Sequence, residues 1–121
     1  MIDLDGELAE EYLAESLRHV DNMEAALLSI GTRQGDLGGE LLNRAFRAAH
    51  SVQGGAGVFE LVRIGDLARR TEDALALIRS RELPPTPERV RVLLGATDRL
   101  RDLIQHPDTS NQADTTGPSR R

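Results

Sequence analysis

Apolar residues recur at spacings of three and four along four separate stretches of this chain, a period that demands helices. The first stretch runs from about residue 5 to 30, on a stripe of Leu4, Leu8, Tyr12, Leu13, Leu17, Val20, Met23, Leu27 and Leu28. Its opposite face carries Glu7, Glu10, Glu11, Glu15, Arg18 and Glu24, the polar side of an amphipathic helix. Met23, Leu27 and Leu28 are expected in the core. The glycine-rich run from Gly31 to Gly39 then reads as a loop. A second helix is predicted over about 40–58, through Leu42, Ala45, Phe46, Ala49, Val52, Ala56 and Phe59. A third covers about 62–80, through Ile64, Leu67, Ala68, Thr71, Leu75 and Ile78, and stops at Leu83-Pro84-Pro85. Thr86 has the chemistry of an N-cap, with Pro87 in the first helical position and Glu88 in the first turn. The fourth helix, about 87–105, uses Val90, Leu93, Leu94, Thr97, Leu100, Leu103 and Ile104.

Four such helices on short connections imply an all-α fold, an antiparallel up-down four-helix bundle over residues 1–106. Tyr12, Phe46 and Phe59 are the only aromatic residues, so leucine, alanine and valine must fill the core. His106-Pro107 ends the fourth helix, since a residue before proline avoids the helical region. Residues 107–121 are polar and without period, and read as a disordered linker or tail. Any fifth helix would lie at the end of this chain or outside it.

Several function classes are disfavoured at once. A net charge of −5 argues against nucleic acid, whose phosphates need clustered positive charge. No apolar run approaches the ~18 residues of a membrane span, and the first residues do not form a secretory signal. The chain has no cysteine, so disulfides and thiolate metal sites are excluded; a cytoplasmic location fits and is expected. All fifteen basic residues are arginine.

One segment stands out chemically: Ala48-Ala49-His50-Ser51-Val52-Gln53-Gly54-Gly55-Ala56-Gly57. Glycine inside a helix costs about 1 kcal/mol relative to alanine, so three of them imply a gain, and open space beside His50 is the simplest one. On the helical wheel His50 falls about 40° beyond Phe46, at the edge of the apolar stripe with its ring tip in water. An exposed imidazole is a good nucleophile when a carboxylate fixes one nitrogen and leaves the other its lone pair. Glu72 is the candidate partner: in an antiparallel hairpin turning near Glu60, residues 50 and 72 lie at comparable distances from the turn. A lone helical histidine beside a core is more often structural, and the bare surface beside this one shifts the balance toward function. His19 has no second ligand at helical spacing, His106 reads as a helix-end residue, and no metal site is expected.

The run from Leu42 to Phe59, with Phe46-Arg47-Ala48-Ala49-His50-Ser51 and Gly54-Gly55-Ala56-Gly57 at its centre, closely resembles the phosphotransfer motif of histidine phosphotransfer (HPt) domains. The likeness is greatest to the N-terminal phosphotransfer domain of CheA-type chemotaxis histidine kinases. It extends through Leu67-Ala68, Glu72-Asp73-Ala74-Leu75 and Ile78-Arg79 into the fourth helix. The resemblance implies that His50 is phosphorylated by a separate ATP-binding kinase domain and passes the group to an aspartate of a CheY-like response regulator. It also implies that Glu72 orients the imidazole. The domain itself would bind no cofactor: ATP sits on the kinase domain and magnesium on the regulator. It would be the phosphotransfer part of a histidine autokinase, without an ATP site of its own, and is expected to be monomeric.

Three positions depart from the family pattern. The lysine usual three residues after the histidine is Gln53, which can donate to a phosphoryl oxygen but cannot neutralise it. The position three before the glutamate, a second histidine in some CheA proteins, is Arg69, and Glu60 replaces the glycine common after the phenylalanine. Gln53, Gly54, Gly57, Arg47 and Arg69 are therefore the candidate phosphate or partner contacts. The competing reading is a degenerate HPt bundle that only binds a regulator.

Overall fold

The computed structural model describes residues 6–32 and 39–112. Among them there are five helices and no strand: α1 (Glu7–Thr32), α2 (Glu40–Ala56), α3 (Val62–Arg79), α4 (Pro87–Gln105) and α5 (Pro107–Ser110). The first four form the bundle, with α1 between α2 and α4 and α3 closing the other side. No described helix is long and apolar enough to cross a membrane.

The core is aliphatic. Val20, Met23, Leu27, Val52, Ile64, Leu75, Leu100 and Ile104 are almost completely buried. Every apolar position expected for α3 is buried, and its one hydroxyl, Thr71, donates to the Leu67 carbonyl one turn back at 2.8 Å. Thr97 does the same to Leu93 in α4. Thr86 caps α4 by accepting from the Arg89 amide at 3.2 Å, with Pro87 next to it.

Three expectations are corrected. Leu28 is half exposed and Leu8 largely so, because Ala9, Val20, Met23, Ala26, Leu27 and Ile30 take the inward side of α1. Helix α1 also continues through Gly31 and Thr32, into the stretch read as a loop; 33–38 lie outside the described residues, as does Leu4. The tail reading fails at 107–112. Pro107 occupies the first position of a new short helix, Ser110 is buried, and Asn111 bonds to the start of α3. The rest of the proposed tail, 113–121, lies outside the described residues.

Candidate functional site

Helices α2 and α3 run antiparallel about the turn at 57–61, and their register brings His50 opposite Glu72. The imidazole Nδ1 lies 2.7 Å from Glu72 Oε2. A carboxylate only accepts, so Nδ1 carries the proton and donates it, and in the neutral ring this leaves Nε2 with a free lone pair. The His50 side chain is 64% exposed while that of Glu72 is only 16% exposed. The carboxylate is thus held at the core's edge and the ring presented to solvent. Among the described residues no cluster of histidines and carboxylates could hold a metal ion.

A second layer, which the sequence reading did not identify, supports the ring. Phe46, one turn before His50, lies nearly parallel to it at 7°, with centroids 6.3 Å apart. The Arg79 guanidinium lies over the Phe46 ring, 3.9 Å from its centroid, and Nη1 donates to Asn43 Oδ1 at 3.0 Å. The signal was present. The register that pairs 50 with 72 also pairs 43 with 79, two turns along each helix.

The glycines divide into two kinds. A Cβ at Gly54 or Gly57 would meet nothing within 4 Å, so both positions leave bare surface. A Cβ at Gly55 would collide with the Tyr12 ring of α1, lying 2.6 Å from Cδ1. That ring stacks on Phe59 and donates its hydroxyl to the Val52 carbonyl at 2.7 Å. Gly55 therefore serves the packing of α1 on α2, a correction to reading all three glycines as cleared space. Burial at this junction pushes the Tyr12 phenol above its ordinary pKa, and a hydrogen bond with Ser16 pulls it partly back.

Gln53, Gly54 and Gly57 share one wall of an open groove of about 540 Å³ with the turn residues Glu60 and Leu61; Asp66 and Arg69 of α3 face them. In the same register Arg69 stands opposite Gln53. Its guanidinium is engaged on its own helix, 3.0 Å from Asp66 and 3.7 Å from Asp73. Arg47 is exposed one turn before His50. Of the sequence-predicted residues, then, His50 and Glu72 are in direct contact, Gln53, Gly54, Gly57 and Arg69 border one groove, and Arg47 lies outside that groove, one turn before His50. His19 and His106 are elsewhere, and the His106 ring packs back on the Asp102 carbonyl at 3.0 Å.

The chain is similar to known proteins along most of its length. The Hpt domain family matches residues 7–106. CheA of Rhizobium meliloti is 35% identical over 97 residues, covering 80% of this chain and 12% of that protein. CheA of Cereibacter sphaeroides is 37% identical over 79 residues, covering 65% of this chain and again 12% of the relative. The chain thus spans about an eighth of the length of these curated relatives. The crystal structure of the phosphorylated P1 domain of CheA3 in complex with CheY6 from R. sphaeroides superposes with a TM-score of 0.74. It is 29% identical and covers 89% of this chain and 82% of that one. The match along nearly the whole bundle shows that the chain belongs to the Hpt domain family.

Proposed function

We propose that this chain is a phosphoryl carrier of chemotaxis-type two-component signalling, the phosphotransfer part of a histidine autokinase. The single observation that carries the reading is an exposed imidazole tied at Nδ1 to a largely buried carboxylate, 2.7 Å away. In the first step the Nε2 lone pair attacks the γ-phosphorus of ATP bound to a separate kinase domain. The N–P bond forms, the bond to the bridging oxygen breaks, and ADP leaves with that electron pair. Glu72 holds the Nδ1 proton throughout, balancing the positive charge that spreads over the ring as Nε2 is phosphorylated. In the second step an aspartate oxygen of a receiver domain attacks the phosphorus, and the imidazole leaves with the N–P electrons.

The relative crystallised with CheY6 supports a CheY-like receiver as the acceptor. Magnesium belongs to that receiver and ATP to the kinase domain, so this domain binds neither and works in the cytoplasm with both partners in trans. Gly54 and Gly57 leave room for each partner to approach His50. Gln53 can donate to a phosphoryl oxygen, and Arg47 and Arg69 are the nearby cations for its charge. The test is incubation with a cognate kinase core and ATP. The reading expects acid-labile, base-stable phosphate on the wild-type chain and none on His50→Gln. Equal labelling of the variant would overturn it, and an unlabelled wild type would favour a degenerate binding module.

A further inference from the structure

The turn between α2 and α3 forms one end of the groove beside His50, and it is not self-sufficient. Glu60 sits there at φ 56°, in the left-handed region that disfavours a residue with a side chain. The N-cap of α3, Leu61, offers no side chain to the first amides of its helix. Those needs are met from 50 residues along the chain. Asn111 Oδ1 accepts from the Val62 amide at 2.7 Å and, more weakly, from Arg63 at 3.4 Å. Its Nδ2 donates to the Glu60 carbonyl at 2.9 Å, and its own carbonyl accepts from Arg63 Nε at 3.2 Å. Buried Ser110 anchors the short helix that carries it.

One side chain therefore bridges the strained residue and the open helix end on either side of Leu61. We infer that Asn111 is a positioning residue for receiver recognition, setting the shape of the groove wall without touching the reacting atoms. This rests on the carrier reading above. Two features tie the clamp to recognition rather than to folding alone. Glu60 and Leu61 border the same groove as Gln53 and Gly54, one turn from His50. Val58 within the turn and Val62 just after it are largely exposed, so the clamp fixes an accessible surface beside the buried Leu61.

The experiment is phosphotransfer from the phosphorylated full chain to a CheY-like receiver domain, with receiver concentration varied. Asn111→Ala should raise KM on the order of five- to tenfold, with the rate at saturating receiver and the spontaneous loss of phosphate unchanged. Asn111→Asp keeps the acceptor for Val62 but loses the donor to Glu60, and should fall between. Thr86→Ala, which removes the distant α4 cap, is the control for general destabilisation and should leave KM alone. Amide exchange at Val62, followed by NMR in the unphosphorylated chain, should quicken in Asn111→Ala. A wild type that transfers normally while Asn111→Ala keeps its KM would overturn this inference alone. A wild type that takes no phosphate would overturn the carrier reading and this one with it.

Discussion

His50 and Arg101 both join two helices through carboxylates, and they end with opposite surpluses. Arg101 of α4 reaches Glu24 at 2.7 Å and Asp21 at 3.3 Å on α1, and Asp98 on its own helix at 3.0 Å. Three acidic groups engage both of its terminal nitrogens, and only a quarter of the side chain is exposed. His50 makes one such contact, through one nitrogen, and leaves the other open on a side chain that is 64% exposed. A bridge held by carboxylates at both terminal nitrogens ties helices together. A bridge with one nitrogen left over, on a surface kept bare by Gly54 and Gly57, can do chemistry.

Breaking each bridge should therefore have opposite consequences. The largest effect belongs to Glu72→Ala. Phosphorylation of His50 by a kinase core should slow by about 100-fold, the usual worth of a group that positions and balances a proton. The denaturant midpoint should move little, since an ion pair with one exposed partner is worth ~0–1 kcal/mol. An unchanged phosphorylation rate would remove the distinction between the two bridges. Arg101→Ala should do the reverse, lowering stability by about 1 kcal/mol in denaturant unfolding with the labelling rate intact. Slowed labelling there would mean that the α1–α4 side also shapes the site.

The smallest effect lies at the junction that positions α1 under the glycines. Burial raises the Tyr12 pKa, so the folded chain keeps the phenolic proton to higher pH than the unfolded chain. That stabilisation is complete below the ordinary value of 10.0 and is lost as pH rises through the folded value. The chain has one tyrosine, no lysine and no cysteine, so this slope should be visible with little interference. Stability should fall above pH 10 in the wild type and not in Tyr12→Phe. Parallel slopes in the two proteins would show that the Tyr12 contact does not distinguish folded from unfolded chain.

The bundle was legible because helical period, proline stops and the Thr86 cap all act within a few residues of each other. The relation of His50 to Glu72 was legible too, since an antiparallel hairpin converts distance from the turn into proximity. Extending the same register would have found Arg79 and Asn43. Gly55 could not be told from Gly54 and Gly57 by sequence, because the difference is the Tyr12 ring, carried by another helix. Asn111 was hidden for a related reason. Its segment has too few apolar residues to show a period, and the amides it caps belong to a helix about 50 residues earlier. Leu28 shows the converse failure, an apolar residue left half exposed because its neighbours on α1 already fill the inward face.

The central claim is that Glu72 occupies one nitrogen of His50 so that the other can carry phosphate. Nitrogen NMR of the isotope-labelled His50 ring, before and after phosphorylation by a kinase core, tests it directly. The expected result is a protonated Nδ1 in both states, with the phosphoryl group on Nε2. Phosphate on Nδ1, or a free ring whose proton resides on Nε2, would contradict it.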